Sequence, residues 1–279
     1  MWAKRRRKLP YDAAVMKGVS RREGASSPAA NHAGTVDAPR RKRSGWPGQL
    51  ALLAGLALVV AVSLPTPTFR DDFDGSSLDG AKWWRETRWD GDRRWQTWCT
   101  WSDDPRLYQV SGGILTLSAR RVDAATPYIC PIISTRGKFE QNHGIWRARM
   151  KWDRGHALWP AFWLHNVPNS ADEIDILEAY PEPTNPDYYQ VSAHWSDGQQ
   201  TRVENTDADW HIYEVEWRGT RTTFRRDGVT VARISGPIAG SPMFGILNLM
   251  VGVHYSGTAP DATTPDSPRL MVDWVEVLP

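Results

Sequence analysis

The hexapeptide EIDILE, Glu173 to Glu178, sets three carboxylates among Ile174, Ile176 and Leu177. Acids and aliphatics alternating at period two describe a half-buried strand, acids on one face and aliphatics on the other. The alternation then loses step. Glu173 and Asp175 are two apart and share a face, whereas Glu178, five after Glu173, should point the opposite way. Either Glu178 faces the core, or the strand takes up one extra residue at Ile176-Leu177. Such a β-bulge resets the parity and gathers all three acids on one face.

Gathered acids have chemical uses. Two glutamates leaning inwards across the bulge reach the separation of about 5–5.5 Å at which one carboxylate can attack a sugar carbon while the other shuttles a proton. Carboxylates this close cannot all ionise freely, so at least one keeps a proton beside an ionised neighbour. Taken alone, the hexapeptide also fits a solvated amphipathic strand or a set of oxygen ligands for calcium.

Short alternating runs continue on both sides: GILTLSA (113–119), GIWRARMKW (144–152), YYQVSAHW (188–195), IYEVEWRG (212–219), VTVARI (229–234) and LMVDWVEVL (270–278). Gly, Pro, Asn and Asp separate them, and Asp227-Gly228 marks a hairpin. No long helical period follows residue 65. The spacing predicts an all-β sandwich or jelly roll over residues 68–279, without internal repeat or second domain. Of the 16 tryptophans, all but Trp2 and Trp46 fall in this part, six of them between Trp83 and Trp101. Each buried indole N–H needs a partner, so a surplus this dense favours a cleft that stacks on the apolar faces of sugar rings.

The N-terminal part reads differently. Residues 1–47 hold twelve Lys and Arg against three acids, a surplus of nine in a chain whose net charge is only +2. Basicity therefore belongs to the leader, which is polar and expected to be disordered, and no nucleic-acid partner is expected. Residues 48–64, GQLALLAGLALVVAVSL, carry no charge and follow the basic RRKRSGW. They are expected to form one hydrophobic helix that exports the remainder: a signal-anchor left in the membrane, the favoured reading, or a signal peptide cleaved near Ala61 and Ser63. In an exported domain the two cysteines, Cys99 and Cys130, are expected to pair.

The flanks of the hexapeptide carry a resemblance. GKFEQNHGIWRARMKWDRGHALWPAFWLHN followed by EIDILEAY resembles glycoside hydrolase family 16, in its laminarinase-like branch with E-x-D-x-x-E. FRDDFDGSSLDGAKW, VSAHW, DWHIYEVEWRGTRTTFRRDG, ILNLMVGV and MVDWVEVLP match in family order from residue 69 to 279. The resemblance implies a concanavalin A-like jelly-roll sandwich of two curved antiparallel sheets, with polysaccharide, most simply a 1,3- or mixed-linkage β-glucan, lying in the concave cleft. It implies a retaining endo-hydrolase with Glu173 as nucleophile, Glu178 as general acid/base and Asp175 between them. Trp159 and Trp163 match cleft indoles on the glycone side, with Phe162 and Leu164 facing the core. His194 matches a cleft histidine near the acid/base, and His211 a structural position. No cofactor is required, and a monomer is expected. Many members hold a structural calcium through an N-terminal acid and a C-terminal aspartate; Asp72 and Asp273 stand at those places, although Asp72 replaces the usual glutamate. VGVHYSG, residues 251–257, departs from the family's usual VGGNW, so the wall near His254 and Tyr255 is expected to differ. Transfer of the sugar to another sugar, or binding without cleavage, remain open at this stage.

Overall fold

The computed structural model describes residues 65–279 apart from 88–97, 123–126, 167–171, 180–187, 197, 208, 239 and 254–256. The basic leader, the apolar segment 48–64 and the departure at His254 and Tyr255 lie outside the described residues. Among the described residues no helix is long and apolar enough to cross a membrane.

Two antiparallel sheets face each other. The cleft sheet runs in the order β13 (Gly198–Asn205), β12 (Tyr188–Trp195), β11 (Glu173–Glu178), β10 (Leu158–His165), β17 (Phe244–Val251), β8 (Ile132–Ser134) and β2 (Trp84–Arg85). The outer sheet runs β16 (Val229–Ser235), β15 (Arg221–Arg226), β14 (His211–Arg218), β9 (Gly144–Trp152), β18 (Arg269–Leu278), β5 (Ile114–Ser118) and β4 (Tyr108–Ser111), with β1 (Phe69–Asp71) also paired to β18. A small third sheet joins β3 (Cys99–Trp101), β7 (Tyr128–Cys130) and β6 (Arg120–Arg121). This is the expected jelly-roll sandwich.

Alternation explains the outer sheet. Along β9 every second residue is buried, so Trp146, Ala148 and Met150 enter the core while Arg147 and Arg149 stay outside. Those arginines are answered across the strands: Arg147 Nη2 lies 2.5 Å from Glu276, and Arg149 Nη1 lies 2.5 Å from Asp273. The hairpin turn at Asp227-Gly228 forms as expected, both residues having positive φ (50° and 77°). Such a turn matches the right-handed twist of its strands.

Strands β10 and β17 do not alternate. Every residue of β17 is buried, because one face meets the other sheet and the opposite face floors the cleft. Phe162 and Leu164 of β10 are 1% and 0% exposed, and Phe162 approaches Gly245 of β17, where an added Cβ would sit 4.0 Å from its ring. Phe162→Ala is therefore expected to cost about 3–5 kcal/mol, the range for a fully buried aromatic. Urea unfolding should show this as a lower midpoint with an unchanged slope.

Candidate active site

The question set by EIDILE resolves in both flanking ladders. On β10, Asp175 faces Trp163 and Leu177 faces Phe162, which leaves Ile176 with no partner. On β12, Asp175 faces Ser192 and Glu178 faces Gln190, so three steps of β11 oppose two of β12. The strand therefore takes up one extra residue. Ile174, Ile176 and Leu177 are all buried, while Glu173, Asp175 and Glu178 line one cleft of about 650 Å³ including its mouth.

Neighbouring strands supply the partners. Glu178 accepts hydrogen bonds from Trp159 Nε1 at 3.1 Å and from Gln190 Nε2 at 2.9 Å. Trp163 Nε1 donates to Asn248 Oδ1 at 2.8 Å. Both indoles thus satisfy their N–H groups while lining the cleft. His194 sits opposite Glu173 in the ladder, with Nε2 2.8 Å from Asp175 Oδ2 and 4.0 Å from Glu173 Oε1. Its hydrogen bond goes to Asp175, which lies between Glu173 and Glu178 in the strand. His211, expected to be structural, bridges Asp207 and Asp227 at 2.6 Å each, on the other sheet.

Three positions were not foreseen as site residues. Gln190 holds Glu178 and Asn248 holds Trp163. Trp101 joins the cleft wall from the third sheet. Asn248 did leave a signal, as the sole polar side chain in the apolar run FGILNLMV. The tryptophan surplus divides: Trp83, Trp146 and Trp217 are core residues, while Trp101, Trp159 and Trp163 line the cleft.

Burial controls the charges. It pushes Asp175 well above the ordinary carboxyl range, with the charge of Glu178 adding to the effect. Glu173 is raised well above its usual value, first by burial and then by Asp175. Glu178 is raised by burial, against the hydrogen bond from Gln190, the charge of His194 and the hydrogen bond from Trp159. Asp175 is 2% exposed and Glu173 32%, so water reaches Glu173 more readily than Asp175.

The residues suggested for calcium do not fit it. Asp72 accepts from Arg70 at 2.8 and 2.6 Å, and Asp273 from Arg149 at 2.5 Å, so each already has a cationic partner. Among the described residues, the one group of three ligating side chains within 4.8 Å is Glu173, Asp175 and His194.

Comparison with known proteins now bears on this geometry. Residues 94–276, well over half of the chain, match the family model described as glycosyl hydrolases family 16. The chain belongs to glycosyl hydrolase family 16. It is 25% identical over 243 residues to the endo-1,3-1,4-beta-glycanase ExsH of Rhizobium meliloti, covering 77% of this chain and 52% of that protein. The match to EglC of the same organism, also named an endo-1,3-1,4-beta-glycanase, is 27% over 231 residues, 70% of this chain and 48% of EglC. The chain thus spans about half the length of these curated relatives. The laminarinase structure of Rhodothermus marinus has the same fold, with a TM-score of 0.66 at 24% identity, covering 77% of this chain and 98% of that one. A Mycobacterium tuberculosis structure described as an immunostimulatory antigen and pseudo beta-1,3-glucanase aligns at 27% identity with a TM-score of 0.65, covering 76% of this chain and 98% of that one.

The family 16 site holds a stability cost that pH should expose. Between the unfolded pKa of Asp, about 3.9, and its raised folded value, the native state binds more protons than the unfolded chain. Stability therefore falls as pH rises through that window. Asparagine keeps the shape and can still accept from His194. Asp175→Asn should raise Tm at pH 7 by about 2–4 °C, or about 1 kcal/mol. The gain should vanish below about pH 4, where wild-type Asp175 is protonated in both states.

Proposed function

We propose that this chain is an exported endo-β-glucanase that cleaves 1,3- or mixed-linkage β-glucan with retention of configuration. The bulge at Ile176 carries the proposal, because it turns Glu178 to the face of Glu173 inside an indole-lined cleft. Glu173 attacks the anomeric carbon while Glu178 passes its proton to the departing glycosidic oxygen. Glu178, now ionised, takes a proton from water as that water displaces Glu173 from the glycosyl-enzyme. Asp175 lies beside Glu173 and keeps that carboxyl oriented; His194 in turn holds Asp175. Trp159 and Gln190 fix the two oxygens of Glu178. The names of the relatives support a 1,3 or 1,3-1,4 glucan. The basic leader and apolar segment 48–64 support export, with the segment kept as a membrane anchor or cleaved as a signal, and the Cys99–Cys130 disulfide accords with an oxidising compartment.

The likeness to a pseudo beta-1,3-glucanase favours a second reading, glucan binding without hydrolysis. A panel of β-1,3, β-1,3-1,4 and β-1,4 glucans separates the two. Wild type should release oligosaccharides whose first-formed anomer is β by NMR, and Glu173→Gln should lower kcat by about 10³-fold or more. Binding without release of products would establish the second reading, and undiminished hydrolysis by Glu173→Gln would remove Glu173 from the chemistry.

A further inference from the structure

The third sheet is small, yet it furnishes part of the cleft. Strand β3 is three residues long and, among the described residues, pairs only with β7, in parallel, Cys99 opposite Tyr128 and Trp101 opposite Cys130. Cys99 and Trp101 are two apart and share a face of β3. The disulfide joins Cys99 to Cys130, with Cα atoms 5.9 Å apart. Trp101 lies two residues after Cys99, and Ile132 two residues after Cys130; both line the same cleft as Glu173 and Glu178. Each half of the disulfide thus lies two residues before a cleft residue. A second anchor lies one residue earlier: Trp98 packs on Gly252, where an added Cβ would fall 2.4 Å from the indole.

We propose that Trp101 is a sugar-stacking, substrate-positioning residue and that the Cys99–Cys130 disulfide is the clamp that keeps its indole in the cleft. Trp101 is 8% exposed, and a covalent tie beside it limits how far its three-residue strand can shift the indole. Ile132, Trp101's neighbour in the wall, belongs to β8, three strands from β11 in the order β11-β10-β17-β8. At about 4.8 Å per strand, the backbones of β8 and β11 lie about 14 Å apart. Trp101 lines the cleft together with Trp159 and Trp163 and meets a sugar ring bound there. Its ligand is the apolar C–H face of a pyranose in a long β-glucan, and its contribution falls on binding rather than on chemistry.

This rests on the glucanase reading and is tested with the full chain on laminarin. Trp101→Ala should raise KM about tenfold, a stacking loss of about 1.4 kcal/mol, while kcat falls less than about threefold. The chain carrying both Cys99→Ala and Cys130→Ala should show the same rise, and adding Trp101→Ala to it should change KM little further, because both act through one contact. Trp101→Phe, which preserves most of the packing, should raise KM about threefold and decides the matter if the other variants lose the native near-UV dichroism. A KM within twofold of wild type in the folded Trp101 variants, or a loss confined to kcat, overturns the proposal. So does a folded disulfide-free chain with wild-type KM. Wild-type hydrolysis with unmoved KM values sinks this inference alone; a wild type that neither hydrolyses laminarin nor binds it by calorimetry sinks the glucanase reading as well.

Discussion

One unpaired residue governs the site. Without a bulge at Ile176, the period of two would send Glu178 into the apolar layer with Ile174 and Ile176. A strand cannot correct its parity gradually, since every side chain points to one face or the other. The bulge makes the correction in a single step, and both neighbouring strands register it. Three acids then meet in one cleft, and the rest of the site consists of groups that make this arrangement tolerable.

Close carboxylates would be costly if each had to stay charged. The structure meets the cost by burial, which raises all three acids, and by supplying donors: His194 lies against Asp175, and an indole and an amide steady Glu178. The same burial leaves the native state less stable at neutral pH than an uncharged site would be, as expected where stability and activity compete.

The sequence made some of this readable and hid the rest for physical reasons. Strands with one face in the core, such as β9 and β14, announce themselves by alternation, and their observed ends lie within a residue of the runs GIWRARMKW and IYEVEWRG. Strand β17 is covered on both faces, so its apolar run has no period to detect. Strand β13, GQQTRVEN, is a polar edge strand paired only to β12, and it carries no apolar stripe to mark it. The three acids were legible because an interrupted period within six residues is a local signal. Gln190, Asn248 and Trp101 were not, because they enter the site through pairings that join distant parts of the chain.

The central claim concerns distance and direction, so the most direct measurement is a crystal structure of the Glu173→Gln variant with a β-1,3-glucan oligosaccharide spanning the cleft. The account predicts carboxyl-to-carboxamide separation across residues 178 and 173 of about 5–5.5 Å, with the glycosidic oxygen against Glu178 and the anomeric carbon against residue 173. A separation of about 6.5 Å or more, or Glu178 turned among the aliphatics, would contradict it.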